Sequence, residues 1–463
     1  VKKEIGQEDW EASRNIAINP YVDPQQEDPN SSPSEGQESN QERDLITEPE
    51  AALWANLFNV RYRMLLTFLT HSFLLEGGLR IFTTLDKDLQ QAAEDAIKIK
   101  SPLYKSKWNA NNVAMTAINP NNGEILAYVG GKDYFDSKND GQVDVLQSYR
   151  QPGSSFKPFI YSASLEKGFT PATIINDAPL SFNAKQTGSK LWEPRNYDGK
   201  YGGPIRMRTA LAKSKNLASI RILQAIGLQY AQDYITRFGF DANRHPPYLP
   251  MALGSGEVTP MQMAVGYAVF ANGGYQISPY FIDRIEDDDG NILEQIQPAI
   301  AKENAKLVID PRNAFIMTSM MQDVIQQGTA VKAKQLGRKD LAGKTGTTSN
   351  FIDAWFCGFQ NNLVTVAWAG FDNPKSLGRN ETGGRVALPI WIDYMASAME
   401  NEPEADLIVP QDIVVTSINP DTGLREAAGG LTEYFLRELL PPQTKMVNEV
   451  PSDATDDFRD QLY

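Results

Sequence analysis

Cysteine and histidine are the scarcest reactive residues in this 463-residue chain, which has one cysteine, Cys357, and two histidines, His71 and His245. A single thiol excludes an internal disulfide, and its neighbours Trp355, Phe356 and Phe359 mark it as core. The same shortage leaves too few ligands for a zinc site, so neither a metal nor a cofactor is expected. Positive charge is also short. With a formal net charge of −14, a pI near 4.8 and no basic run, the chain has no nucleic-acid partner to match. Long apolar runs are missing: residues 57–75 are interrupted by Arg61, Arg63 and His71 and read as a buried or amphipathic helix rather than a membrane span. No glycine cluster makes a phosphate loop, because Gly343-Lys-Thr lacks the earlier glycine at the required spacing. The chain opens on Val1 without a signal-like segment, and it reads as a piece of a longer protein whose preceding part holds an anchor or another domain.

What is present is an ordinary soluble composition, 41% hydrophobic and 22% charged, with room for one large domain or a few smaller ones. Residues 1–50 hold 13 acidic and 4 basic side chains and lack apolar periodicity, so they read as an acidic linker or irregular segment. Residues 51–112 carry a helix, a strand at 79–85 and a helix at 86–98 capped by Asp86, leading into the main domain. That domain, 113–400, opens with a hairpin of 113–118 and 124–129 around Asn119-Pro-Asn-Asn-Gly123. Helices are predicted over 208–226, over 259–271 between Thr259-Pro260 and Gly273-Gly274, and over 313–327. Three antiparallel strands at 341–348, 353–359 and 363–371 follow, and a helix at 387–399 closes the domain. Residues 401–440 form an extension with a short hairpin of 413–418 and 424–427, and 441–463 read as a disordered tail. Asp287, Asp288 and Asp289 before Gly290 read as a hairpin turn, not a metal site, and Asp353 as an anchor of strand geometry.

The chemistry centres on Gln151-Pro-Gly-Ser-Ser-Phe-Lys-Pro158. One helical turn from Ser154 to Lys157 puts a hydroxyl and an amine on the same face. With so few histidines, a desolvated lysine is the available base for a serine nucleophile, and the helix start aims N–H groups at a developing oxyanion. Pro158 opposes this by biasing Lys157 away from helical angles, so the helix is expected to begin no earlier than Ser154. Taken alone, Ser-x-x-Lys is weak evidence and reads first as a solvated helix start. The ordered company of Ser214-Lys-Asn216, 60 residues on, and Lys344-Thr-Gly346, 130 beyond that, separates the two readings.

This triple, together with Gly77-Gly-Leu-Arg-Ile-Phe-Thr-Thr-Leu-Asp86, Arg150-Gln-Pro-Gly-Ser154, Ala252-Leu-Gly-Ser-Gly256, Ala271-Asn-Gly-Gly274, Gly343-Lys-Thr-Gly-Thr-Thr348 and Asp353-Ala-Trp-Phe356, resembles the transpeptidase region of class A penicillin-binding proteins from about residue 77 to 435. The resemblance implies an α/β (α+β) fold, an antiparallel β-sheet flanked by helices, like that of penicillin-binding transpeptidases and serine β-lactamases. It implies Ser154 as nucleophile, Lys157 as its base, Ser214 as proton relay and Lys344 as a positive charge. Asn216, Thr345, Gly346 and Thr347 would bind the substrate, with the backbone N–H groups of Ser154 and Thr347 as oxyanion hole. The implied partners are peptidoglycan stem peptides ending in D-Ala-D-Ala, β-lactam antibiotics as covalent inhibitors, and cell-wall synthesis proteins. The implied location is extracytoplasmic, anchored to the cytoplasmic membrane. The chain departs from the family in reading Gln142 to Ser148 where an Asn-Arg-Ala-like segment is usual, and in showing no Glu-Asp-x-x-Phe-x-x-His glycosyltransferase motif. A serine β-lactamase, a D,D-carboxypeptidase and a non-catalytic penicillin sensor are the alternatives.

Overall fold

The computed structural model describes residues 79–103, 110, 112–132, 143–183, 191–427 and 429–443. The acidic segment 1–50, the helix expected over 57–75 and the tail from 444 lie outside the described residues. The elements run β1 (Leu79–Thr83), α1 (Lys87–Leu103), β2 (Asn112–Ile118), β3 (Ile125–Val129), a 3-10 turn (Gly153–Phe156), α2 (Lys157–Glu166), β4 (Ile174–Asp177) and β5 (Gly203–Arg206). They continue with α3 (Met207–Ala212), α4 (Asn216–Ile226), α5 (Leu228–Ile235), α6 (Pro260–Ala271), β6 (Tyr275–Gln276), β7 (Ile282–Asp287), β8 (Ile292–Gln295), β9 (Lys306–Leu307) and α7 (Pro311–Gln326). The last are β10 (Ala342–Thr347), β11 (Ala354–Gln360), β12 (Leu363–Gly370), α8 (Ala387–Ala398), β13 (Ile413–Ile418) and β14 (Leu431–Leu436). Among the described residues no helix is long and apolar enough to cross a membrane.

The centre is a five-stranded sheet in the order β10-β11-β12-β2-β3, antiparallel throughout. Every residue of β2, β11 and β12 is buried, because the sheet is covered on both faces. Alternation along β11 divides the core: Trp355, Cys357 and Phe359 join Phe159, Tyr267 and Trp368 on one side, while Ala354 and Phe356 join Ala93, Ile97 and Trp391 on the other. The second face is covered by α1 and α8. The first is covered by α6, which is apolar all round and closed at its start by a reciprocal capping box of Thr259 and Gln262. Burying a helix on every side requires apolar residues on every side. The edge strand left open beside the helical layer is β10, and it carries Lys344, Thr345 and Gly346.

The expected α/β fold with an antiparallel sheet between helices is therefore the observed one, and the 113–129 hairpin, the 341–371 strands and the Asp287–Gly290 turn are in place. Asp86 caps α1 through Leu89 N at 2.9 Å. β1 pairs with β7 in a separate sheet of β1-β7-β8. Two expectations are corrected. The helix expected over 208–226 is two helices, α3 and α4, because Ser214 between them takes the left-handed conformation at φ 56°. The tail turns at Asn419–Gly423 as expected, with Ile418 bridging Arg425, but the main ladder of 413–418 is with Leu431–Leu436, reached after Gly429 and Gly430, both at positive φ.

Candidate active site

The 3-10 turn resolves the conflict between Ser154 and Pro158. Lys157 keeps helical angles, φ −53° and ψ −39°, and Pro158 sits in the first turn of α2, where a missing N–H costs little. The Tyr267 hydroxyl donates to the Ser155 carbonyl at 2.7 Å, supplying a donor where proline has none. The turn lies directly on β10. A methyl group at Gly153, which sits at φ +55°, would be 2.5 Å from the Thr347 carbonyl oxygen, and one at Gly346 would be 2.4 Å from that of Pro152. Two glycines thus allow the backbone before Ser154 to touch the backbone of Thr347. The neighbouring serines differ sharply: Ser154 is partly exposed, whereas Ser155 is buried and its Oγ donates to Pro152 O at 2.7 Å.

Ser214 is brought in by a helix end with an unusual residue. Ser214 N donates to Leu211 O at 3.0 Å and Lys215 N to Ala210 O at 2.9 Å, the paired bonds that close a helix through a left-handed residue, normally glycine. A serine there costs on the order of 1 kcal/mol. The conformation turns its carbonyl and hydroxyl toward two lysines. Lys157 Nζ donates to Ser214 O and to Asn216 Oδ1, both at 2.8 Å, and lies 3.3 Å from Ser214 Oγ. Lys344 Nζ donates to Ser214 Oγ at 2.9 Å and to Thr345 O at 3.1 Å. Both lysines are fully buried. Burial, and then the charge of Lys344, holds Lys157 well below the ordinary lysine range, while burial pushes Lys344 down to about 7. Among the described residues no hydrogen bond reaches Ser154 Oγ; catalytic bonds of this kind commonly tighten only when substrate binds.

The rest of the wall is β10 and its supports. Thr345 Oγ1 pairs with Thr329 Oγ1 at 2.7 Å, and Thr347 Oγ1 accepts from Gly383 N at 3.0 Å. Asp353 accepts from Trp368 Nε1 at 3.0 Å and its N–H donates to Thr348 Oγ1 at 2.8 Å, so it holds strand geometry. The three motifs, 190 residues apart in the chain, therefore meet around Ser214. Sequence reasoning missed the support behind Asn216. Asn196 is buried against its N–H, and Lys215 pairs with Asp177 at 3.4 Å and Asp198 at 2.9 Å. No local pattern announces these contacts.

Comparison with known proteins agrees with the geometry. The family model described as the penicillin binding protein transpeptidase domain matches residues 113–395. The chain is similar to penicillin-binding protein 1A of Neisseria lactamica, 50% identical over 325 residues, which cover 70% of this chain and 39% of that protein. It is 42% identical over 387 residues to penicillin-binding protein 1A of Pseudomonas aeruginosa, covering 73% of this chain and 46% of that one. The chain thus spans well under two thirds of the length of these relatives. The crystal structure of penicillin-binding protein 1A from Haemophilus influenzae superimposes with a TM-score of 0.69 at 38% identity over 72% of this chain and 54% of that one. That of PonA1 from Mycobacterium tuberculosis in complex with penicillin V gives 0.61 at 25% identity over 74% and 92%. With more than half of its length matched by the family model and its three motifs gathered at one sheet edge, the chain belongs to the penicillin binding protein transpeptidase domain family.

Proposed function

We propose that this chain is a D,D-transpeptidase that cross-links peptidoglycan stem peptides through an acyl-enzyme on Ser154. The observation that supports it most is the Ser214 hydroxyl standing between two buried lysines, 3.3 Å from one and 2.9 Å from the other. As a neutral amine, Lys157 has two N–H donors, taken by the carbonyl oxygens of Ser214 and Asn216, and its lone pair is left for a hydroxyl proton. Ser154 Oγ bonds to the carbonyl carbon of the penultimate D-alanine while Lys157 takes the hydroxyl proton. The backbone N–H groups of Ser154 and Thr347 receive the oxyanion, each worth about 3 kcal/mol in such sites. The C–N bond then breaks, the terminal D-alanine leaves with a proton relayed through Ser214, and an acceptor amine releases the acyl group by the reverse sequence. Lys344, Thr345 and Thr347 bind the substrate carboxylate, the open strand beside Gly346 receives the peptide backbone, and the second N–H of Asn216 meets the donor amide. A penicillin, as seen bound in the PonA1 structure, is attacked in the same way. Such a protein works outside the cytoplasmic membrane with an anchor and cell-wall synthesis partners.

Labelling of the full chain with a fluorescent penicillin tests the reading. Ser154→Ala abolishes the label and Ser155→Ala, at a buried hydroxyl already bonded to Pro152, leaves it in the folded protein. The reverse pattern overturns the assignment. Rapid steady-state hydrolysis of the penicillin would instead identify a β-lactamase.

A further inference from the structure

We propose that Asn196 is the positioning residue that sets Asn216, and through it the Lys157 amine, in the geometry the acylation step requires. The proposal rests on the function given above. α4 begins at Asn216, and its first N–H groups need acceptors that helix geometry does not supply. The residue at the capping position is Lys215, whose side chain has no acceptor and is drawn away to Asp177 and Asp198. The cap comes instead from a separate loop, 20 residues earlier in the chain: Asn196 Oδ1 accepts from Asn216 N at 2.9 Å and from Leu217 N at 3.4 Å.

The orientation of that cap is locked. Asn196 Nδ2 donates to Asp177 Oδ1 at 2.7 Å and to Lys200 O at 2.8 Å, so all four hydrogen-bonding positions of the amide are used in a side chain that is 4% exposed. Asp177, fully buried at the end of β4, is itself held by Gly202 N at 2.9 Å. The adjoining carbonyl of Arg195 accepts from Asn216 Nδ2 at 2.9 Å, which fixes which end of the Asn216 amide faces Lys157. With the nitrogen held by Arg195, the oxygen meets the amine at 2.8 Å. Residues 195 and 196 therefore determine both the backbone position and the amide direction of Asn216. Neither touches Ser154 or the space in front of it in any hydrogen bond of the described residues, so their effect passes through Asn216.

The experiment compares the full chain with Asn196→Ala, Asn196→Asp and Asn196→Asp combined with Asp177→Asn, measuring second-order acylation by a penicillin against pH together with the melting temperature. A misplaced catalytic group costs up to about a hundredfold, so Asn196→Ala is expected to slow acylation by roughly ten- to a hundredfold in protein that remains folded. Losing the Asn216 oxygen also removes an acceptor that favours charged Lys157, so the acid limb of the profile moves to lower pH; the other charges acting on this amine, Lys344 and Asp177, stay in place. Asn196→Asp keeps the cap but sets a carboxylate against Asp177, and adding Asp177→Asn restores a donor between them and recovers part of the rate. A rate loss that follows the melting temperature with an unmoved acid limb, or no loss at all, overturns the proposal. Ser154→Ala labelling fails separately if the nucleophile is wrong, so the two readings are distinguished.

Discussion

Two lysines near one serine differ only in charge state, and the residue scale is where that difference can be read. Lys157 works as a base only when neutral, so acylation rises with pH as it loses its proton. Lys344 meets the carboxylate only when charged, and burial sets it at about 7, so acylation falls again above that pH. The expected profile of the second-order acylation rate, followed from about pH 5 to about pH 9, is a bell. An arginine cannot lose its proton in this range, so Lys344→Arg removes the alkaline limb even where its bulk lowers the maximum, whereas Lys157→Arg abolishes acylation. An alkaline limb that persists in Lys344→Arg would assign it to another group. Ser154 and Lys157 were legible in the sequence from their one-turn spacing, and Ser214 and Lys344 from the resemblance of their motifs to the transpeptidase family. It was silent about the depressed Lys344, since full burial depends on contacts with strands far away in the chain.

At the scale of elements, helix and strand positions were legible wherever apolar periodicity met a strong terminator, as at Thr259-Pro260 and Gly273-Gly274. The break at Ser214 was not. Met207 to Ile226 has no glycine or proline to stop a helix, and the left-handed turn is imposed by the bonds on either side of it. Tertiary anchoring of α3 is the missing part. Arg208, on that helix, forms a bidentate pair with the wholly buried Glu433 of β14, also donates to Ser319 O at 3.0 Å, and lies 3.2 Å from Asp323. Removing Glu433 takes the bidentate counter-charge from Arg208, leaving it only Asp323, and also strips Arg206, 3.5 Å away, so Glu433→Ala is expected to lose about 3 kcal/mol in urea unfolding. Wild-type stability in that variant would mean that the 413–436 hairpin does not clamp α3. Pairings of this kind join residues 225 apart and leave no local trace.

Over the whole chain, most of the net charge and the site chemistry are separated along the sequence. Residues 1–50 hold −9 of the formal −14, while the described site draws on residues 152–383. Deleting 1–50 is expected to leave the acylation rate unchanged and to move the melting temperature by less than about 2 °C. A larger fall would assign the acidic segment a packing role.

The sole cysteine gives the sheet a further property. Cys357 stands opposite Lys344 in the β10–β11 register, completely enclosed, with burial raising its thiol far from the reactive thiolate form. Its side chain projects from the sheet toward Phe159 and Tyr267, so an alkylating reagent reaches it only while the helical layer stands away from this face. Its modification rate is therefore an intrinsic clock for opening between the helices and the sheet face that bears Lys344, read without any engineered label. Comparing that clock in free and penicillin-acylated protein measures how firmly a covalent ligand staples the strand edge to the helices.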